Sequence, residues 1–105
     1  MDILLVDDDQ VDRTAIIRTL KKSNLNVHIE EAVTVDQGLE LYSKYVYDII
    51  LLDYSMPSRD GIEMILDIRN EARGTTTAIV MMSTYEDENI ALECIKAGAQ
   101  DFLTK

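Results

Sequence analysis

Apolar and polar positions follow two different patterns along this chain. Residues 3–6, 49–52 and 78–82 are short, wholly apolar runs. Runs of this length are typical of strands that are buried on both faces of a sheet. Residues 27–32 alternate only weakly, which favours a strand at a sheet edge, and residues 101–104 predict a short fifth strand.

The segments between these runs carry apolar residues at helical spacing. A first helix is predicted over residues 10–23, with Asp9 and Asp12 as favourable charges at its N-terminus. A second helix begins after Thr34, its predicted N-cap, and its apolar face comprises Val35, Leu39, Tyr42 and Val46. A third continues from residue 62 to near residue 74, and a fourth runs from residue 86 to residue 97 and ends at Gly98.

Strands and helices therefore alternate from one end of the chain to the other. This order predicts an α/β domain of three layers, in which a five-stranded parallel sheet has helices on both faces. The 105 residues are the length of one small domain, so we assign residues 1–105 to a single domain. In such sheets, ligands bind beyond the carboxyl ends of the strands.

The charge balance limits the kinds of partner that this domain can bind. The chain has 20 Asp and Glu against 10 Lys and Arg, and its net charge is −10. This argues against binding of nucleic acid or of an anionic membrane by the domain itself, because phosphates need a basic surface. A bound cation, a basic partner and plain solubility are all compatible with the charge.

Cys94 is the single cysteine, so no internal disulfide can form and a reducing, cytoplasmic location is expected. The chain opens without a charged and apolar leader, so no secretory signal is predicted. No apolar run approaches the roughly 20 residues that cross a bilayer. We therefore expect no insertion of this domain into a membrane.

Polar residues follow the predicted strands at the ends where ligands are expected. Asp7 and Asp8 follow the first strand, Asp53 the third, Ser83 the fourth and Lys105 the fifth. Because parallel strands end at the same edge of a sheet, we expect these side chains to gather there. The alternative is that they are ordinary polar residues at strand ends, and that Lys105 is mobile.

Three carboxylates that gather at one edge repel one another, and a hard divalent cation removes this repulsion. Mg²⁺ prefers a few carboxylates together with water and phosphate oxygens. A carboxylate beside such a cation can attack a phosphoryl donor, while Lys and Ser side chains donate to the phosphoryl oxygens. These residues therefore predict phosphoryl transfer to an aspartate with Mg²⁺ as the cofactor.

Four segments of the sequence together resemble one known family. They are residues 5–9 (LVDDD), 48–61 (DIILLDYSMPSRDG), 79–84 (IVMMST) and 98–105 (GAQDFLTK). In this order and spacing they resemble the receiver domain of two-component response regulators, over the whole chain. Each segment alone is common, whereas the four together are specific. The resemblance implies a flavodoxin-like fold with the strand order 2-1-3-4-5.

The resemblance also implies a role for each residue of the predicted site. Asp53 would accept the phosphoryl group, and Lys105 would pair with that group. Asp8 and Asp53 would ligate Mg²⁺ directly and Asp7 mainly through water. The backbone carbonyl of Ser55 would complete the protein ligands.

Further residues would form a switch and shape the site. Ser83 would move toward the phosphoryl group, and Phe102, which could equally be plain core, would turn inward to fill the space that Ser83 leaves. The side chains of Ser55 and Tyr85 occupy positions that tune the lifetime of the phosphoryl group in the family. The loop after the acceptor would be shaped by Pro57 and Gly61.

The function implied by the resemblance is signalling. A histidine kinase or a histidine phosphotransfer protein would supply the phosphoryl group, and the domain would catalyse only its own phosphorylation and dephosphorylation. The fourth helix and the fifth strand would present a changed surface to an output domain or a partner protein. The sequence does not decide whether the domain forms a homodimer.

Two features depart from the family pattern. Thr84 stands where a smaller residue, often Ala, is usual, so access to the acceptor would be narrower. The family also has a fifth helix after the position of Lys105, beside the first helix, and this helix is missing here. A shortened fragment, a helix in a continuation of the chain, or a second chain that covers the apolar face would each account for its absence.

Two other functions stay open at the level of sequence. Phosphotransferases of the haloacid dehalogenase type also use a strand-end Asp with Mg²⁺. They usually carry a second Asp two residues later, where this chain has Ser55, and no segment here could form a cap domain. The other alternative is a receiver-like module that binds partners without phosphorylation, against which the intact acids, Ser83 and Lys105 argue.

Overall fold

The computed structural model of the protein describes residues 1–56, 59–84 and 87–105. The strands in these ranges are β1 (Asp2–Val6), β2 (His28–Ala32), β3 (Ile49–Asp53), β4 (Ala78–Ser83) and β5 (Asp101–Thr104). The helices are α1 (Gln10–Lys22), α2 (Val35–Lys44), α3 (Gly61–Arg69) and α4 (Glu88–Ala97), with a 3₁₀ turn at Ala72–Thr75. Every strand and helix that the sequence predicts is present.

The five strands form one parallel sheet in the order β2-β1-β3-β4-β5. This confirms the predicted three-layer fold class and its strand order, and it places β2 at an edge. Val6 pairs with Leu52, and Leu52 pairs with Met81. The carboxyl ends of the three central strands therefore lie at the same level, which is the geometric requirement for a shared site.

Alternate residues of the central strands face opposite sides of the sheet, as the pleat of a strand requires. One side carries the main core, in which α2, α3 and α4 pack over the strands. Its fully buried members include Leu4, Val6, Ile50, Leu52, Ile79 and Met81 from the sheet and Met64, Ile65, Ile68 and Cys94 from the helices. Burial of each large apolar side chain contributes roughly 1.5–3 kcal/mol. This layer therefore supplies most of the stability.

The other face of the sheet is covered by α1 and is more open. None of the residues of α1 is buried. An apolar groove of about 430 Å³ lies beside the helix and is lined by Ala15, Ile16, Leu20, Leu51, Met82 and Leu103, among others. This is the face on which the family's fifth helix was expected. Within the described residues, none of the helices has the length and the apolar character that a membrane span requires.

Side chains cap the free backbone N–H groups at the helix N-termini. Asp9 caps α1 and accepts from the N–H of Val11 at 2.8 Å, and Thr34 caps α2 as predicted. Asp60 and Glu63 form a reciprocal capping box at the start of α3, which the sequence analysis did not identify although the spacing of the two acids carries its signature. These caps set where each helix begins after a strand end.

The predicted end of the third helix is wrong. α3 ends at Arg69 and not near Gly74, and the chain continues into the 3₁₀ turn. The Arg69 guanidinium donates to the carbonyl of Gly98 at 2.6 and 3.0 Å, to that of Gly74 at 2.6 Å and to that of Thr77 at 2.7 Å. These bonds join the turn to the end of α4, and no local sequence pattern signals them.

Two other details of the helix prediction concern the end of α2 and the start of α4. Val46 was assigned to the apolar face of the second helix, but α2 ends at Lys44 and Val46 is 80% exposed. The fourth helix begins at Glu88, behind the N-cap Asp87, and the predicted start at residue 86 lies outside the described residues. Gly98 does end α4, with a φ of 120° that glycine adopts most readily.

Candidate functional site

The first part of the site is the end of β1, where Asp7 is fully buried. The Asp7 N–H donates to the carbonyl of Ala32 at 3.0 Å, and its Oδ1 accepts from the N–H of Asp9 at 2.9 Å. The Asp7 carbonyl accepts from Nη1 of Arg13 at 2.7 Å. Asp8, in contrast, is exposed. The buried carboxylate is thus fixed by its surroundings, while its neighbour is open to solvent.

The second part is the end of β3, where Asp53 is 6% exposed. The bonding between β3 and β4 continues one residue past Asp53, because the N–H of Tyr54 donates to the carbonyl of Met82 at 2.8 Å. The N–H of Gly61, at the start of α3, donates to the carbonyl of Tyr54 at 3.1 Å. A Cβ atom at Gly61 would lie 2.6 Å from the carbonyl oxygen of Asp53, so this approach needs glycine. Pro57, which was predicted to shape the same loop, lies outside the described residues.

The two strand ends bring three carboxylates together. One oxygen from each of Asp7, Asp8 and Asp53 lies within 4.8 Å of the others, a spacing at which the three could hold a metal ion. Carboxylate oxygens are hard ligands of the kind that Mg²⁺ and Ca²⁺ prefer. Two of the three side chains are buried, so their mutual repulsion is only weakly screened by water. The donor set therefore fits a divalent cation.

Lys105 supplies a positive charge to this cluster. Its Nζ donates to Oδ2 of Asp7 at 2.6 Å and to Oδ2 of Asp12 at 3.0 Å, and it lies 3.2 Å from Oδ1 of Asp53. The Lys105 side chain is only 12% exposed. Burial by itself lowers the pKa of this ammonium, but the hydrogen bonds to Asp7 and Asp12 and the charge of Asp53 outweigh burial and raise it. Lys105 is therefore a permanent cation at the site.

The remaining predicted site residues lie around this cluster. Ser83 is 1% exposed at the end of β4, and its carbonyl accepts from the N–H of Lys105 at 2.7 Å. Phe102 on β5 is partly buried and packs against the main core. Ser55 and Thr84 are exposed. Tyr85 lies outside the described residues.

Comparison with known proteins identifies the family. A family model described as the response regulator receiver domain matches residues 3–105. The chain belongs to this family. Receiver domains are signalling domains of two-component systems, and the acidic cluster fits the Mg²⁺ site expected of such a domain.

Individual relatives support this receiver assignment. The chain is 34% identical over 106 residues to a chemotaxis protein CheY of Listeria monocytogenes, covering 98% of this chain and 84% of that protein. It is 33% identical over 105 residues to a cyclic di-GMP phosphodiesterase of Thermotoga maritima. That match covers 100% of this chain but only 27% of the relative, so the receiver domain spans about a quarter of that protein.

Solved structures show the same receiver fold. One is the receiver domain of a sensor histidine kinase from Pseudomonas aeruginosa, described with a magnesium ion coordinated in its active-site cleft. It superposes with a TM-score of 0.87 at 28% identity, covering 99% of this chain and 84% of that one.

Two residues, Asp12 and Arg13, make contacts at the receiver site that the sequence analysis missed. Asp12 was interpreted as a charge at the N-terminus of α1, yet its carboxylate also binds Lys105. Arg13 holds the backbone at the end of β1 and pairs with Glu31 at 3.0 Å. The acid at position 12 and the base at position 13 are visible in the sequence, but nothing local shows that the first turn of α1 faces the site.

The electrostatics of the receiver site also shift the pKa of Asp53. Burial, and next the charge of Asp7, raise the pKa of Asp53 from 3.8 to about 6, although Lys105 and the backbone N–H of Ser55 act in the opposite direction. The ammonium lies closer to Asp7 than to Asp53, so the second carboxylate is only partly compensated. Because the Asp53 carboxylate is nearly buried and only partly neutralised, a second positive charge beside it, such as a metal ion, would be stabilised.

This shift predicts that Asp53→Asn makes the metal-free protein more stable at pH 7. A carboxyl whose pKa is higher in the folded state contributes stability below the unfolded pKa and loses it as pH rises through the folded pKa, here between about 4 and 6. Asn does not ionise and avoids that loss, so we expect the free energy of unfolding to rise by about 1–3 kcal/mol at pH 7. This gain should disappear below pH ~4. Urea unfolding in EDTA at several pH values measures it, and a variant less stable at neutral pH would contradict the prediction.

Proposed function

We propose that this receiver domain accepts a phosphoryl group on the carboxylate of Asp53. The observation that carries the proposal is the convergence of Asp7, Asp8 and Asp53 with Lys105 at one sheet edge. In the transfer, an Asp53 oxygen forms a bond to phosphorus while the bond from phosphorus to the donor breaks. The product is an aspartyl phosphate in a pocket that already contains a fixed ammonium.

Mg²⁺ is the proposed cofactor of this step. Asp8 and Asp53 would ligate the ion directly, Asp7 mainly through water, and the backbone carbonyl of Ser55 would complete the protein ligands. The bound ion would neutralise the negative charge that collects on the transferred phosphoryl group. Asp7 is fixed by backbone hydrogen bonds and Asp8 is exposed, which leaves an open side for the donor to enter.

Lys105 and Ser83 would stabilise the phosphoryl group from the protein side. The Lys105 ammonium is already 3.2 Å from Oδ1 of Asp53, so it needs little movement to contact a phosphoryl oxygen. Ser83 is held next to Lys105 by the bond between the Ser83 carbonyl and the Lys105 N–H, and its hydroxyl would donate to a second oxygen. Phosphorylation would thus draw the ends of β4 and β5 toward Asp53.

The proposed output is a change of surface on α4 and β5. Ser83 would move toward the phosphoryl group, and Phe102 would turn inward from its partly buried position. A phosphorylated state of this kind shifts an equilibrium between two conformations. The phosphoryl donor would be a histidine kinase or a histidine phosphotransfer protein. The changed surface would be recognised by an output domain or a partner protein. On this proposal the domain catalyses only its own phosphorylation and dephosphorylation.

Intact-mass spectrometry tests the proposed function. The protein is incubated with acetyl phosphate in Mg²⁺ or in EDTA, and a gain of about 80 Da that appears only with Mg²⁺ is expected. Reduction with borohydride and peptide mapping then locate the aspartyl phosphate.

Each rival function predicts a different result in the same series. Absence of the adduct together with hydrolysis of p-nitrophenyl phosphate would favour a phosphotransferase of the haloacid dehalogenase type. Absence of both, in a folded protein that does not bind Mg²⁺, would favour a module that acts without phosphorylation.

A further inference from the structure

One ammonium at the site is shared by three carboxylates that come from three different elements. The Lys105 Nζ lies 2.6 Å from Asp7 after β1, 3.0 Å from Asp12 on α1 and 3.2 Å from Asp53 at the end of β3. Asp7 and Asp53 belong to the metal-binding cluster, whereas Asp12 does not. Asp12 is therefore the one contact of Lys105, among the described acids, that a metal ion would not take.

The proposed chemistry makes this difference important. A cation at the three carboxylates and a phosphoryl group on Asp53 would both compete with the Lys105 ammonium for the carboxylate oxygens of Asp7 and Asp53. Both contacts of the ammonium would then be weakened, whereas its contact with Asp12 would not. The side chain of a lysine has many rotamers, and holding it in one of them is entropically costly unless a strong contact remains.

We propose that Asp12 is a positioning residue that keeps the Lys105 ammonium beside Asp53 when Mg²⁺ and the phosphoryl group occupy the cluster. The inference rests on the proposed function and deepens it. Asp12 is in the first turn of α1, whose start is fixed by the Asp9 cap, so its carboxylate is held by a rigid element. Its side chain is 35% exposed and is not one of the three carboxylates that could hold the metal ion.

A plain structural role for Asp12 predicts something different. An acid in the first turn stabilises a helix through the macrodipole, and that contribution is independent of Lys105. Asp36 offers a matched control, because it is the acid in the first turn of α2 and its described partner is Arg59, at 2.8 Å. Asn at position 12 or 36 removes one negative charge from the first turn of a helix, but only Asp12→Asn releases Lys105.

The test is a double-mutant cycle on phosphorylation rate. Asp12→Asn is expected to slow aspartyl phosphate formation from acetyl phosphate roughly tenfold at saturating Mg²⁺, the size expected for loss of one charge-assisted hydrogen bond. Asp36→Asn should change the rate less than twofold. In a Lys105→Ala background, Asp12→Asn should have no further effect, because the residue that it positions is gone.

A second readout does not depend on phosphorylation. The ¹⁵Nζ signal of the Lys105 side chain is visible by NMR when its ammonium is held and exchanges slowly, and Asp12→Asn should broaden or remove it in saturating Mg²⁺. Loss of rate that persists in the Lys105→Ala background, or an unchanged ¹⁵Nζ signal, would overturn the positioning role. If the wild-type protein takes no phosphate, the proposed function fails, while the NMR comparison still decides whether Asp12 holds Lys105.

Discussion

Asp53→Asn is expected to reduce phosphate incorporation by at least about 100-fold, to the limit of detection. The amide oxygen that replaces the carboxylate is a poor nucleophile, and the change leaves the shape of the side chain almost unaltered. The variant should also be at least as stable as the wild-type protein at pH 7, because the raised pKa of Asp53 marks a destabilising carboxylate. Loss of the 80 Da adduct would therefore report on chemistry and not on unfolding.

Asp101→Asn is the matched control for this prediction. Asp101 is the first residue of β5, where it pairs with Val80 in the middle of β4, and it is exposed and outside the acidic cluster. Its substitution removes one negative charge from the protein and should leave incorporation within twofold of wild type. If Asp53→Asn still carries phosphate, the acceptor is another residue, and peptide mapping would show whether it is Asp7 or Asp8.

Gly74→Ala is expected to destabilise the protein by about 3 kcal/mol or more. A Cβ atom at this position would lie 1.8 Å from the carbonyl oxygen of Ile68 and 2.8 Å from its carbonyl carbon. These are backbone atoms at the end of α3, and the side chain of Ile68 is fully buried in the core. The clash cannot be relieved by a rotamer change, so either the 3₁₀ turn or the end of the helix must move.

Movement of this turn would also break bonds that hold the rest of the fold. The Gly74 carbonyl accepts from Arg69 at 2.6 Å, and the same guanidinium binds the carbonyl of Gly98 at the end of α4. For a small domain whose total stability is of the order of 5–15 kcal/mol, the loss is large. Urea unfolding should show a midpoint lower by roughly 1.5–3 M.

Gly38→Ala is the control for this second prediction. A Cβ atom there would meet the Met64 Cε and Val6 Cγ2 atoms, each at 3.0 Å, and these belong to side chains. Gly38 also lies inside α2, where Ala is favoured over Gly by about 1 kcal/mol. The two effects oppose each other, so the change should be small. Equal urea midpoints for the two variants would contradict the steric account of Gly74.

The elements of this fold could be predicted from the sequence because their signals are local. The runs at residues 3–6 and 49–52 are too short and too apolar for a surface helix, and both form central strands. The Thr34 cap and the Gly98 stop were likewise visible in single residues. Errors occurred where a distant contact decided the outcome, as at the end of α3, where Arg69 binds carbonyls of the following turn and of Gly98.

The residues that form the candidate site could be predicted from the sequence, but the interactions among them could not. A parallel sheet brings all its carboxyl ends to one edge, so the acids after the first and third strands had to approach each other once the alternation of strand and helix was established. Which carboxylate would be buried, and how one ammonium would be divided among its neighbours, depends on distances of a few tenths of an ångström. Those distances follow from packing and not from spacing along the chain.

The sequence alone thus determined the fold class, the receiver family that its four segments resemble, and the set of polar residues at the strand ends. Only the tertiary structure decided that Asp7 and Asp53 are buried while Asp8 is exposed, that the pKa of Asp53 is raised, and that Asp12 reaches Lys105. The physical reason is the distance along the chain over which each kind of interaction acts. Propensities, caps and apolar periodicity act over a few residues, whereas Asp12 and Lys105 are 93 residues apart and meet only because the sheet register and the position of α1 bring them together.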